Sequence, residues 1–196
     1  MRKRKIGKLL EARESSAMVR IERAHRYSDP LDGFVVSVGK KWAVLARTMD
    51  GGYFDGYVAF RLTDVSDVSR EHGFESSFSR GLPEWPAVLD LEFDLNSTDG
   101  VLRSMAAHLP LIAIEKERER PAMWIGEIDE IDTDRLWLVE VRRDATWRKS
   151  ARGYKLRAIT AVSIGTHYLT ALAAIAGRAP ATSRTAIAKA GQESPS

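Results

Sequence analysis

The sequence predicts a mainly β protein with some α-helix (α+β class), made of two tandem units. Each unit is expected to contain a helix followed by a bent, five-stranded antiparallel barrel. Three observations lead to this expectation: the second half of the chain repeats the first at a nearly fixed spacing, each half opens with a helical stretch, and each continues with short alternating strands and polar turns. Five strands with hairpin spacing behind one helix favour a small barrel over an open sheet.

The internal repeat follows the order of the apolar residues. At a spacing of 93, residues 18–38 align with residues 111–131, and Gly33 aligns with Gly126. One added residue near position 40 changes the spacing to 94, which pairs Trp42 with Leu136 and aligns "FRLTDVSDV" (60–68) with "YKLRAITAV" (154–162). Because the repeated positions are chiefly apolar, the repeat indicates a doubled fold rather than a doubled binding site.

Each unit shows the same succession of elements. The helical stretches are "KIGKLLEARESS" (5–16) and "TDGVLRSMAAHL" (98–109), and Ser97, Thr98 or Asp99 is suited to cap the second one. Alternating strands follow, and two of them in each unit are joined by short polar turns at 39–41 and 132–134. The last two strands of each unit fall within "YVAFRLTDVSDV" (57–68) and "GYKLRAITAVSI" (153–164).

These patterns divide the chain into four segments. The first unit covers 1–80 and the second 98–177, and a Pro-flanked linker at 81–97 is expected to be packed because "VLDLEFDL" alternates strictly. The last segment, 178–196, is rich in Ala, Ser, Thr and Pro and is expected to be disordered.

Composition and charge narrow the class of protein. The chain has 196 residues, of which 44% are hydrophobic and 29% charged, and it contains no cysteine. The net charge is +3. Residues 1–8 carry five basic and no acidic residues, and 178–196 carries +2, so residues 9–177 have a net charge near −4. No apolar run approaches the ~20 residues that a membrane-spanning helix needs. We therefore expect a cytoplasmic protein without a membrane partner, which is not a uniformly basic nucleic-acid binder.

The strand patterns resemble those of the Sm-like fold, a helix followed by a strongly bent five-stranded barrel. "FRLTDV" is similar to the hydrophobic-Arg-Gly-Asp-Asn-hydrophobic signature of Sm proteins at Arg61 and Asp64, although Leu62 stands at the glycine position and no asparagine follows. Gly33 and Gly126 fit the glycine of the second Sm strand. The resemblance covers both units and implies binding of single-stranded RNA.

A second resemblance, within the same class of barrel, is to the WYL domain. "KWAVLAR" followed by "AFRLTDVSDV" matches the spacing of the tryptophan strand of that domain and of its Phe-Arg-Leu strand, through Trp42, Phe60, Arg61, Leu62 and Val65. Ala43 replaces the tyrosine. The resemblance implies a regulatory protein that binds a nucleotide or nucleic acid, although no helix-turn-helix precedes the barrel.

The best candidate for a binding site is "RRDATWRKSARGYKLR" (142–157), between the third and fourth strands of the second unit. Basic side chains neutralise phosphates and aromatic faces stack on bases, so this composition is typical of nucleic-acid contacts. A solvated hairpin loop in which Trp147 packs against its neighbours is the alternative interpretation. The candidate nucleic-acid-binding residues are Arg61, Arg142, Arg143, Trp147, Arg148, Lys149, Arg152, Tyr154, Lys155 and Arg157.

Catalytic and metal sites find no support in the sequence. The four histidines are scattered without metal-binding spacing, and no nucleophile elbow, phosphate loop or dinucleotide fingerprint occurs. We therefore predict no catalytic residues, no metal and no cofactor, and a protein that is not an enzyme.

Two functional hypotheses lead at this point, ahead of a purely structural domain whose partner is encoded beside it. The first is a non-catalytic regulatory module that binds RNA, single-stranded DNA or a nucleotide through the basic-aromatic segment of the second unit. The second is a protein-interaction or scaffold module that pairs with a partner or with itself through strand edges.

Overall fold

The computed structural model describes residues 2–25, 28–86, 92–117 and 122–180. Within them the chain forms four α-helices, ten β-strands and two 3₁₀ turns at 50–52 and 156–158. The helices are α1 (Arg2–Glu14), α2 (Phe74–Arg80), α3 (Thr98–His108) and α4 (His167–Ala176). Each of these helices is too short or too polar to cross a bilayer.

The strands join into one antiparallel, open sheet of ten strands. Its order is β5-β1-β2-β3-β4-β10-β6-β7-β8-β9, so the first half of the chain (β1–β5) and the second half (β6–β10) have the same internal order. The mainly β, α+β class predicted from the sequence is confirmed. The strands are β1 (Met18–Arg23), β2 (Leu31–Val38), β3 (Trp42–Thr48), β4 (Phe54–Arg61), β5 (Val65–Arg70), β6 (Ile112–Lys116), β7 (Trp124–Ile131), β8 (Arg135–Glu140), β9 (Arg152–Lys155) and β10 (Ile159–Ile164).

The hydrogen-bonded register corrects the position of the added residue in the repeat. Gly39 N–H donates to the Trp42 carbonyl at 2.8 Å, and Asp132 N–H donates to the Arg135 carbonyl at 3.0 Å, so the two hairpins superimpose at a spacing of 93. Trp42 therefore corresponds to Arg135 rather than to Leu136. The spacing becomes 94 from β4 and β9 onward, because Trp42 pairs with Arg61 and Arg135 pairs with Lys155.

Two glycines allow neighbouring strands to come close together. A Cβ atom on Gly33 in β2 would lie 2.0 Å from the carbonyl oxygen of Ala46, and one on Gly126 in β7 would lie 2.2 Å from that of Val139. Any other residue would force these backbones apart. The matched glycines of the repeat therefore serve the same close approach in both halves.

The helices that open the two halves cover the core. α1 buries Leu9 and Ala12, which are three residues apart and share one face. α3 buries Leu102 and Met105 in the same way, and of the three candidate caps it is Ser97 whose Oγ accepts a hydrogen bond from Gly100 N–H at 2.9 Å.

The two halves share their core across the β4–β10 junction. Residues 57–60 of β4 pair with 161–164 of β10, and every residue of β10 is buried. One apolar cluster contains Trp42 and Ala59 of the first half together with Ile114 and Val162 of the second. Because fully burying an aliphatic side chain contributes about 1.5–3 kcal/mol, this junction joins the halves into one stable unit.

The end of the predicted linker is packed against the first half. The Leu95 carbonyl accepts hydrogen bonds from Lys41 N–H and Trp42 N–H, both at 3.1 Å, and the Leu95 side chain is buried. Described residues 92–95 form no strand, whereas 88–91 of the predicted extra strand lie outside the described residues. The predicted disordered tail lies outside them from residue 181 onward.

Candidate nucleic-acid interface

The predicted basic-aromatic segment forms a turn, a bridge and a short strand. Arg142 N–H donates to the Thr146 carbonyl at 2.8 Å, Val141 bridges to Trp147, and residues 152–155 form β9 beside β8. Asp144 accepts hydrogen bonds from the Thr146 hydroxyl at 2.7 Å and the Thr146 amide at 3.1 Å, which lower the pKa of its carboxyl group. This carboxylate, the segment's only acidic group, therefore stabilises the turn.

The Trp147 ring is held in place by a hydrogen bond and by apolar packing. Its indole Nε1–H donates to the Ala176 carbonyl at the end of α4, at 3.0 Å. The half-buried ring packs in a cluster with Leu111, Val141 and Leu169. This arrangement matches the alternative interpretation, in which the tryptophan packs against its neighbours.

Tyr154 is buried as well, and its hydroxyl donates to the Glu140 carboxylate. Glu140 is a buried residue of β8 that also accepts from Arg148 Nε at 2.7 Å, and Arg152 Nε lies 3.9 Å away. Burial raises the pKa of the Tyr154 hydroxyl well above its usual range, and the Glu140 carboxylate raises it further. Sequence reasoning missed Glu140, although an acidic residue in the otherwise apolar "LWLVEV" was a signal that could have found it.

Arg61 holds the two halves of the chain together through its hydrogen bonds. Its Nε and Nη2 donate to Asp64 at 2.7 and 3.1 Å, its Nη2 also bonds Glu117, and its Nη1 donates to the Arg157 carbonyl at 2.7 Å. Burial lowers the pKa of Arg61, but these hydrogen bonds outweigh burial and leave that pKa raised. Nearby, the buried Arg23 side chain bonds Glu115 across the same junction at 2.7 Å.

The remaining candidates differ in how freely their charges face solvent. Arg142 is exposed, yet its Nη1 donates to Thr146 Oγ1 at 3.1 Å and to the Trp147 carbonyl at 3.2 Å. Four others are exposed, and their side chains make no ion pair or hydrogen bond with the described part of the chain. These are Arg143, Lys149, Lys155 and Arg157, called the exposed cations below.

The β9 strand also has an open backbone edge. Residues 58–60 of β4 correspond to 152–154 of β9 at the spacing of 94. Those β4 residues pair with β3 on one side and with β10 on the other. Within the described ranges no strand pairs with β9 on that side. Residues 151–154 are called the β9 edge below.

No group of three or more acidic or histidine side chains in the described ranges is placed to hold a metal ion. Comparison of the chain with protein-family models, with curated proteins and with solved structures finds no match.

Proposed function

We propose that the chain is a non-catalytic interaction module that adds an extended, acidic segment of a partner protein to the β9 edge. The observation that carries this proposal is the β4–β10 junction, in which the counterpart of the β9 edge already takes a neighbouring strand. An exposed strand edge presents unpaired N–H and C=O groups that an extended peptide can satisfy.

Two tandem Sm-like units are the architecture that we propose for this module. The equal strand order of the halves, their matched hairpin hydrogen bonds and the matched close approaches at Gly33 and Gly126 support it. In this view one unit-to-unit contact is made inside the chain, and the equivalent edge of the second unit is left for a partner.

The charges around the β9 edge favour an acidic partner. Arg152 lies within the edge with 56% of its side chain exposed, and Lys155 follows it and is exposed. Val58 and Ala59 stand at the positions equivalent to Arg152 and Gly153, and they are fully buried under β10. An apolar strand therefore suits the edge of β4, whereas an added strand that carries carboxylates suits the β9 edge.

A pair of peptides of equal charge tests strand addition directly. Fluorescein-labelled Val-Asp-Val-Asp-Val-Asp-Val is titrated with the full chain, beside a peptide in which every valine is proline. Because proline has no N–H to donate, we expect the proline peptide to bind at least tenfold more weakly than the valine peptide. Equal binding of the two peptides, or binding of neither, would overturn the proposal.

A double charge reversal tests whether the peptide binds at the β9 edge. Arg152→Glu with Lys155→Glu is expected to weaken binding of the valine peptide at least tenfold, because like charges then face each other across the strand pair. Arg4→Glu with Arg13→Glu, an equal charge change on exposed positions of α1, serves as the control and is expected to leave binding within about twofold.

Binding of RNA, single-stranded DNA or a nucleotide is the second candidate, and the exposed cations favour it. Trp147 and Tyr154 are both engaged, so phosphate contacts rather than base stacking would supply the affinity. With a dodecamer of deoxythymidine, affinity should fall steeply with salt. Arg143→Ala with Lys149→Ala should reduce the logarithmic salt slope by ~1.4, since each single-strand phosphate contact contributes ~0.7. Affinity that does not change with salt would contradict this candidate.

A further inference from the structure

The outer faces of the two halves differ although their strands share one register. In the second half, Ala113 pairs with Ile125 and the face they share is covered by α4. In the first half, the equivalent pair is Arg20 with Asp32. An apolar, covered face in one half therefore corresponds to a charged face in the other.

The helix that follows the first half does not cover that face. α2 packs instead on the 3₁₀ turn at 50–52, where Ser79 Oγ donates to the Gly52 carbonyl at 2.6 Å. Phe78 of α2 meets Tyr53 edge-on, with ring centroids 4.8 Å apart. The charged face therefore remains open as a cleft of about 670 Å³, which lies within the range of small-molecule sites.

The cleft has an excess of negative charge. Five carboxylates and two guanidinium groups line it, which gives a net charge of −3. Arg20 lies 3.4 Å from Asp32, and Arg47 lies 3.9 Å from Asp55. The other three carboxylates form no ion pair with any side chain that the structure describes; they belong to Asp50, Glu71 and Glu75.

Two buried polar atoms in the wall of the cleft also have no hydrogen-bond partner among the residues that the structure describes. Thr48 lines the cleft and is 5% exposed, and its hydroxyl makes no hydrogen bond within the described chain. Oδ1 of Asp32 is likewise buried without a hydrogen bond in that part of the chain. Buried polar atoms are nearly always hydrogen-bonded, so this wall has unused capacity for a polar ligand. The position equivalent to Thr48 is Val141, which packs under α4 and needs no partner.

We propose that this acidic cleft binds a small organic cation that carries two or more ammonium groups. The three carboxylates that form no ion pair within the described ranges supply the attraction, and Asp32 and Thr48 offer oxygen acceptors in the wall. The cleft is larger than a single hydrated ion needs, and its carboxylates come from β2, β4, the 3₁₀ turn, the residue after β5, and α2. Separated charges of this kind match an extended polyammonium chain better than a point charge.

Titration of the full chain with spermidine at low ionic strength tests the proposal, with calorimetry as the readout. We expect one molecule to bind per chain, and Glu71→Gln with Glu75→Gln to weaken binding about tenfold or more. The control removes two exposed carboxylates away from the cleft, by Glu84→Gln with Glu92→Gln, and should leave binding within about twofold. Equal weakening in both variants would show attraction to overall charge and would overturn the proposal.

Two further measurements keep the test decisive. Thr48→Val is expected to weaken spermidine binding several-fold while the chain keeps its thermal stability, because the second half already holds valine at this position. Magnesium chloride is titrated in parallel. Absence of spermidine binding to the unaltered chain, or displacement of spermidine by an equal concentration of Mg²⁺, would also overturn the proposal.

Discussion

Glu140 is the residue on which the polar contacts of the second half converge. Its carboxylate accepts from the Tyr154 hydroxyl and from Arg148, and Arg152 lies nearby. A buried carboxylate without such partners would be strongly destabilising, so these side chains stabilise β8 and β9 rather than being left free for a ligand.

We predict that Glu140→Gln lowers the free energy of unfolding by about 1–3 kcal/mol, because a hydrogen bond to a charged group contributes about that much and Arg148 loses its counter-ion. Urea unfolding followed by circular dichroism measures the change. Asp99→Asn, which removes an exposed ion pair with Arg103, is the control and should cost about 0.5 kcal/mol or less. Equal losses in the two variants would contradict this account of Glu140.

The pKa of Tyr154 gives a second prediction, on pH dependence. This pKa is raised by burial first and by Glu140 second. In the folded chain Tyr154 stays protonated above pH ~10, where unfolded tyrosine ionises, so its contribution to stability is complete below that pH and is lost as the pH rises further. Ultraviolet titration of the chain and of Tyr154→Phe isolates this group. In Glu140→Gln the pKa should fall towards its ordinary value; no movement would exclude the carboxylate as a cause.

The composition of the candidate segment could be predicted from the sequence, but the partners of its side chains could not. Basic and aromatic residues cluster in 142–157, and that clustering is visible in the printed sequence. Whether Trp147 and Tyr154 are free depends on Ala176 and Glu140, which lie 29 and 14 residues away along the chain. Spacing and composition carry no information about such distant partners, so these two engaged rings could not be predicted.

At the element scale, β5 and β9 each have one edge that pairs with no other strand of the described residues. On α1, Lys5 Nζ donates to the Val65 carbonyl and Lys8 Nζ to the Val68 carbonyl, both at 2.6 Å, so these carbonyl groups of β5 are already satisfied. The equivalent positions on α3 are Thr98 and Val101, next to β10, which pairs with β4 instead. Lysine at a strand edge is known to prevent pairing with strands of other molecules. The lysines of α1 therefore protect the edge of β5, and no lysine of α3 protects the β9 edge in this way.

We predict that Lys5→Met with Lys8→Met promotes self-association, because two edge carbonyls lose their hydrogen bonds and become available to a strand of another molecule. Light scattering coupled to size-exclusion chromatography, at several protein concentrations, measures the mass. Lys3→Met with Arg4→Met makes the same charge change at exposed positions of α1 and is expected to leave the mass unchanged. Identical masses for all three proteins would contradict the protective role of these lysines.

The ten strands and the two opening helices agree with the predicted elements, whereas α2 and α4 were missed. In α4, Leu169, Leu172, Ala173 and Ala176 recur at helical spacing, and Thr166 accepts the capping hydrogen bond from Leu169 N–H at 3.1 Å. This pattern was not assigned to a helix, because each unit was expected to end with its fifth strand. α2 has only seven residues, which is too short for periodicity to identify.

At the scale of the whole molecule, the continuous sheet makes each half depend on the other. The β4–β10 junction was not predictable, because alternation within a strand specifies which face is buried but not which strand lies alongside. The sequence predicted two tandem units, each with a bent five-stranded barrel, and the hydrogen bonds join the ten strands into one open sheet. Residues of both halves share a single apolar cluster, so a change at the junction acts on both.

We predict that Val162→Ala lowers the stability of both halves together, by about 2 kcal/mol, because a cavity opens where their cores meet. Hydrogen exchange with mass spectrometry, performed along a urea series, should give one common midpoint for β2–β3 and β7–β8. Ile175→Ala, at a side chain that is 78% exposed, serves as the control with a change of at most about 0.5 kcal/mol. Separate midpoints for the two halves would contradict the shared core.

The packed end of the linker has a consequence for fragment complementation. Leu95 is held by two backbone hydrogen bonds to the first half, and Arg61 and Arg23 bind Glu117 and Glu115 across the junction, so the covalent connection at 87–91 is not needed to keep the halves in place. Residues 1–86 and 92–196, expressed as two polypeptides with a tag on one, should therefore co-purify as a stoichiometric pair. Expressed alone, each should aggregate or be degraded, and fragments that purify separately would contradict this account.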